Sequence, residues 1–171
     1  MSKIYIPKRT EELQEEFFAR NSESVAKDLL GRTLVRERKR KKDLYASIRE
    51  ISAYEGQSSS MTKGVLYTPG TLIVSTKYGR NLLDISTQKI GDSSCITLIS
   101  AIVGERGEEG ELVKGPGNLT KALEIDKDSF DGWLLTLSPL WIGGQTIEND
   151  RVIKRNKSNM PSNCVGYFYF K

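Results

Sequence analysis

The stretch Leu44 to Tyr54, LYASIREISAY, decides how the rest of the chain reads. Side chains along a strand point alternately to opposite faces. A period of two therefore places Leu44, Ala46, Ile48, Glu50, Ser52 and Tyr54 on one side of a strand. That side begins apolar and ends in a carboxylate, a hydroxyl and a phenol. It runs directly into Gly56 to Lys63, GQSSSMTK, a small and polar stretch that reads as a loop. A sheet offers reactive groups at its rim in this way. A strand emerging into solvent carries the same pattern, and periodicity alone favours that plainer reading.

Working outward, Thr33 to Arg36 reads as a second strand, joined to the first across the turn Arg36 to Lys42, which holds six cations and one carboxylate. Such a run is usually a solvated turn. Its functional alternative is a phosphate contact, whose counterion release would make binding salt-dependent. A second basic group, Arg151, Lys154, Arg155 and Lys157, lies near the C-terminus, and the acidic stretch Glu105 to Glu111 reads as an exposed loop facing away from any polyanion.

Glu11 to Phe18 and Ser22 to Leu30 read as short helices, the second opened by Asn21 or Ser22 and closed by Gly31. Pro69-Gly70 is turn chemistry before a β-rich Thr71 to Thr76, and Ile96 to Val103 reads as a buried strand. Gly115-Pro116-Gly117 punctuates a loop before a helical stretch from Asn118 to Glu124, and Tyr167 to Phe170 suits a final strand packed on both sides. Helices first and then mostly strands predict an α+β fold, a curved antiparallel sheet flanked by short helices. One domain over residues 1–171 is expected, with residues 1–10 a loose N-terminal segment.

Composition narrows the chemistry. With 37% hydrophobic and 28% charged residues the chain is an ordinary globular one, and its net charge of +4 is mildly basic. There is no histidine, which removes Ser-His-Asp triads, Cys-His dyads and histidine metal sites. Cys95 and Cys164 are far apart in sequence with no CxxC, so buried packing in a reducing cytosol is their expected role. The longest apolar run is too short to span a bilayer, and the N-terminus has charges without the apolar core of a signal peptide.

Several segments in register resemble the alkyladenine (3-methyladenine, methylpurine) DNA glycosylase family. Phe17-Phe18 followed by Ala26 to Val35 is similar to that family's opening. Glu50-Ile51-Ser52-Ala53-Tyr54-Glu55-Gly56 matches its E-T-E-A-Y-L-G strand end. Pro69 to Leu72 running into Tyr78-Gly79, then Thr97 to Ala101, continue the match. Gly115 to Leu123 resembles the family's G-P-x-K-L-x-x-A-L segment. The resemblance runs from Phe17 to about Phe168.

What it implies is a single α+β domain that binds duplex DNA and excises alkylated purines, with neither metal nor cofactor. On this chain it assigns Tyr54 to stacking on a flipped base and Tyr78 to wedging into the duplex. The reactive positions depart from the pattern. The family's general-base glutamate falls on Ser52, and its pocket histidine has no counterpart, Met61 being nearest. A pocket tyrosine falls on Ser75, an arginine on Ser100 and an asparagine near Asp84. The chain therefore reads as a divergent member.

A serine hydroxyl does not supply general-base catalysis, typically about 100- to 10,000-fold, at neutral pH. Replacement bases are Glu50, on the same strand face about 6–7 Å from Ser52, and Asp84 from a neighbouring element. Glu50 paired with a cation is the plainer alternative, and Glu55 is expected to point to solvent. Cationic lesions need least catalytic help, so activity is expected to be confined to them. Gly79 belongs to the wedge turn. Lys63, Lys77, Arg80, Asn118 and Lys121 are candidate DNA contacts, although each cation alone also suits a solvated surface.

The expected function is base-excision-repair hydrolysis of the N-glycosidic bond of alkylated purines in damaged double-stranded DNA. The alternatives are a non-catalytic paralogue that binds distorted DNA and a fold diverted to RNA or another polyanion. A monomer without a membrane segment, in the cytoplasm (nucleoid) or nucleus, is expected.

Overall fold

Strand β2 (Leu44–Glu55) is the axis of the molecule, as its length and β-rich composition foretell. A computed structural model describes residues 3–56, 67–88, 92–156 and 159–170. Met61, Lys63, Lys157 and most of the expected loop after β2 lie outside the described residues. The other strands are β1 (Thr33–Arg36), β3 (Leu72–Lys77), β4 (Arg80–Ser86), β5 (Ser94–Glu105), β6 (Glu111–Lys114), β7 (Leu140–Gly143), β8 (Val152–Arg155) and β9 (Cys164–Phe170).

All pair antiparallel in one curled sheet, ordered β3-β4-β5-β2-β1-β7, with β6 on β5 and β8 on β9. The first half of β2 lies between β5 and β1, and its second half between β5 and β9. The helices are α1 (Glu15–Phe18), α2 (Ser22–Leu29), α3 (Pro116–Ala122) and α4 (Lys127–Phe130). This is the α+β curved antiparallel sheet with short flanking helices that the sequence predicts.

The exchange of partners along β2 coincides with an irregularity in its register against β5 between Ile48 and Ile51. A bulge of this kind resets the alternation. Leu44, Ala46 and Ile48 enter the core before it, and Ile51 and Ala53 after it. The expected single face is therefore split: Glu50, Ser52 and Tyr54 lie on the side opposite Leu44, Ala46 and Ile48. β5 resets at the same place, with Ile96 and Leu98, then Ala101, in the core.

On the core side, Val25, Ala26 and Leu29 of α2 form one apolar stripe against the sheet, together with Phe18, Leu119, Leu123 and Phe168. Asn21 caps α2, its side chain accepting from Ser24 N at 2.8 Å. The helix expected over Glu11 to Phe18 is instead a 3-10 turn at Arg9–Glu11 followed by the single turn of α1. Glu11 is taken up by the earlier turn, where its carboxylate accepts from Lys8 N at 2.6 Å and from the Tyr5 hydroxyl. The helix expected at Asn118 starts two residues sooner because Pro116 occupies its first position, where a missing N–H costs nothing.

Residues 3–10 are not a loose segment. Ile4 and Ile6 pack against a second small cluster of Val35, Tyr45 and Trp141, and Thr33 Oγ1 donates to the Tyr5 carbonyl at 2.7 Å.

The basic turn lies at the far end of β2 from Tyr54, roughly 30 Å along the strand. Three of its six cations are ion-paired among the described residues: Arg38 with Glu105 and Glu124 at 3.0 and 3.2 Å, Lys41 with Glu124, and Lys42 with Glu105 and Glu108. The acidic stretch thus faces the basic turn, and the two do not form opposite poles of the surface.

Candidate active-site cleft

The outer face of the sheet, away from the core, carries a row of side chains set by register. Tyr167 of β9 stands opposite Ser52 of β2, Ser52 opposite Thr97 of β5, and Thr97 opposite Asp84 of β4. Directly opposed residues share a face, so four adjacent strands present a phenol, two hydroxyls and a carboxyl in one line. Beside its Asp84 end opens a cleft of about 210 Å3, lined by Tyr54, Ser75, Lys77, Leu82, Asp84, Cys95, Thr97 and Ile99 of the sheet. Pro116, Pro161 and Asn163 form its other wall.

Asp84 is the carboxyl of this cleft. Burial raises it from its ordinary range to about 6, and the Thr97 hydroxyl, donating to Oδ1 at 2.5 Å, works against that rise. The Tyr54 phenol is raised chiefly by burial, and a hydrogen bond from Ser52 Oγ at 3.1 Å opposes the shift. Cys95, directly opposite Tyr54 on β5, has its thiol pushed well up by burial and then by the charge of Asp84, so it is a poor nucleophile.

The two carboxylates of β2, Glu50 and Glu55, are engaged elsewhere. Glu50 does not line it; its Oε2 accepts from the Tyr167 hydroxyl at 2.5 Å. That bond and burial hold the Tyr167 phenol above its ordinary value, burial being the larger cause. Among the described residues the partner of Glu50 is thus a phenol and not a cation, because the bulge turns it toward β9. Glu55 does not point to solvent. It accepts from Ser22 N at 3.0 Å at the start of α2 and from the side chains of Ser22 and Gln88.

Ser52 is buried, and its hydroxyl is spent on Tyr54. Ser75 lines the cleft as expected, whereas Ser100 does not. Ser100 sits in the irregular step between β2 and β5, its buried hydroxyl without a hydrogen-bond partner among the described residues. Ile99 takes the cleft position beside it.

Above the cleft, β3 and β4 are joined by a two-residue hairpin, Lys77 pairing with Arg80 across Tyr78-Gly79. Both turn residues have positive φ, 51° at Tyr78 and 72° at Gly79. Glycine adopts this conformation freely; an aromatic residue does so at a cost. Tyr78 is 93% exposed, its ring approached by the Lys77 ammonium at 5.8 Å, so little packing offsets that cost. Tyr78 therefore combines a strained backbone with a ring directed to solvent at the hairpin tip.

All of these residues except Asn163 and Tyr167 lie within residues 16–162, which match the family model described as methylpurine-DNA glycosylase. The chain belongs to the methylpurine-DNA glycosylase family. Among its relatives, a protein of Salinibacter ruber named "Putative 3-methyladenine DNA glycosylase" is 30% identical, the match covering 86% of each chain. One of the same name from Streptomyces avermitilis is 32% identical over 75% of this chain and 70% of its own. The DNA-3-methyladenine glycosylase of Mus musculus is 30% identical over 70% of this chain and 44% of its own length.

Within this methylpurine-DNA glycosylase family chain, the sequence reading missed Thr97, Cys95 and Ile99 as cleft residues. Ile96 to Val103 reads as a strand buried throughout, yet positions 95, 97 and 99 share one face, and that period was the available signal. Arg80, Asn118 and Lys121 come together at a neighbouring hollow. The second basic group is partly engaged: Lys154 pairs with Glu23 at 3.1 Å, and Arg155 donates to the Tyr169 hydroxyl at 3.0 Å.

Proposed function

We propose that this chain is a DNA glycosylase that takes a 3-methyladenine-type purine out of duplex DNA into the Tyr54–Asp84 cleft and hydrolyses its N-glycosidic bond. Tyr78 enters the stack from the hairpin and holds the vacated space, as an apolar or aromatic wedge does. The flipped base stacks on Tyr54, a contact worth about 1–3 kcal/mol per base and reinforced when the base is cationic. Asp84, largely ionised above pH 6, attracts that positive charge and accepts a proton from water. The water oxygen bonds to the sugar C1′ as the C1′–N bond breaks. The bonding electrons leave with the base, which departs neutral because it entered cationic, and the sugar is left abasic.

The observation that carries this reading is that Asp84, and not Glu50, Glu55 or Ser52, lines the cleft with Tyr54. A neutral purine such as hypoxanthine lacks the positive charge that makes the leaving group good, so it is expected to be a poor substrate.

The test is incubation with methylated duplex DNA followed by alkaline cleavage at abasic sites. Strand breaks given by the wild type and lost in Asp84→Asn support the reading, with Glu50→Gln retaining them. Tight binding to damaged duplex without breaks would establish the binding-only alternative.

A further inference from the structure

Next to the β3–β4 hairpin lies a second hollow, of about 370 Å3, separate from the base cleft and bordered by Gly79, Arg80, Gly117, Asn118 and Lys121. Arg80 follows the Tyr78-Gly79 turn directly, and two contacts of its own, backed by two further hydrogen bonds, pre-set its position. Its Nη1 donates to Asn118 Oδ1 at 2.9 Å, and Asn118 Nδ2 donates in turn to the Lys114 carbonyl at 2.9 Å. Its aliphatic stem lies on Gly117, where a Cβ would come within 2.8 Å of Arg80 Cδ. The Thr120 hydroxyl donates to the Asn81 carbonyl at 2.7 Å, tying α3 to the hairpin.

The guanidinium is therefore fixed by a neutral amide, with most of its N–H donors still available. Arg80 makes no ion pair among the described residues, in contrast to Arg38 in the basic turn. Lys121, three residues beyond Asn118 on α3, brings to the same hollow a second cation that has no ion pair among the described residues.

We propose that this hollow is a phosphodiester site: Arg80, held by Asn118 over Gly117 and joined by Lys121, grips one backbone phosphate while Tyr78, two residues away, enters the stack. The inference rests on the reading of the chain as acting on duplex DNA. A planar guanidinium fork suits two phosphate oxygens at once, and a fork already fixed in place loses little freedom on binding. Because grip and wedge share one hairpin, seating the phosphate also sets the direction of the ring. Gly117 and Asn118 act here as positioning residues.

Equilibrium binding of undamaged and lesion-bearing duplexes over a salt series, with base release measured on the latter, tests the proposal. Arg80→Gln is expected to reduce the magnitude of the slope of log K against log salt by about 0.9 and to weaken binding roughly ten-fold at about 0.1 M salt. Gly117→Ala and Asn118→Ala remove no charge, yet each is expected to weaken binding in the same direction by unseating the guanidinium. Tyr78→Ala is expected to weaken binding with the slope unchanged. Thermal unfolding identifies folded variants, and Asn118→Ala carries the test if Gly117→Ala does not fold.

A wild-type slope in Arg80→Gln overturns the phosphate site whether or not bases are released. A reduced slope in Arg80→Gln without base release by the wild type upholds the site and overturns the glycosylase reading. A wild type that binds no duplex overturns both.

Discussion

Thr97 stands opposite Asp84 across the β4–β5 pair and donates its hydroxyl to Asp84 Oδ1 at 2.5 Å. This bond opposes the rise that burial imposes on the Asp84 carboxyl, which settles at about 6. Thr97→Val removes the donor while keeping the shape, so the carboxyl moves higher. A general base works only when ionised. The rise of base release with pH, centred near 6 in the wild type, should therefore shift to higher pH in Thr97→Val and stay in place in Thr97→Ser. A pH–rate profile on a methylated duplex measures this, and identical midpoints in all three proteins would contradict it.

Keeping Asp84 in the cleft costs stability, and the sign follows from its pKa. The folded value is raised from 3.8 to about 6, so the folded protein binds more protons than the unfolded chain between those limits. Stability from this group falls as pH rises through that window, by on the order of 3 kcal/mol once it is fully ionised. Asp84→Asn removes the titration while leaving an oxygen for Thr97. In urea unfolding the variant should match the wild type near pH 4 and exceed it by up to about 3 kcal/mol at pH 7. A difference independent of pH would show that Asp84 is not desolvated.

Tyr78 at φ 51° is a second position where stability is given up at the site. Asn-Gly is the pair best suited to a two-residue turn with both φ positive. Tyr78→Asn should therefore stabilise the hairpin by about 1 kcal/mol while lowering DNA affinity and base release. Chemical denaturation and duplex binding on the same variant test the two halves together. Loss of stability would mean that the ring makes packing contacts despite its exposure.

β4 is not among the strands the sequence predicts, but within it Leu82 and Asp84 alternate with Leu83 and Ile85, which puts Asp84 on the face away from the core. The phase of β2 was not legible in the sequence. Its reset between Ile48 and Ile51 arises where β1 gives way to β9 as its neighbour, and Phe168 and Tyr169 of β9 lie more than a hundred residues away in the chain. Local pattern carries no trace of that exchange, and so unbroken alternation places Glu50 on the same face as Leu44. Tyr78 was legible as a turn residue from the glycine after it.

The same limit governs the basic turn, whose partners Glu105, Glu108 and Glu124 come from distant segments. Its charges satisfy these carboxylates at one end of β2, and the cleft lies at the other. Arg38 is the anchor, its side chain 10% exposed and shared between Glu105 and Glu124. The acceptors are themselves partly solvated, so the pairing stabilises by less than a fully buried one. Arg38→Ala should destabilise by about 1–2 kcal/mol, and Lys41→Gln with Lys42→Gln by under about 0.5 kcal/mol. Neither should alter the salt slope of duplex binding, whereas Arg80→Gln should. If the double lysine variant flattens that slope by about two, the turn grips phosphate after all, and the duplex must extend along the whole of β2.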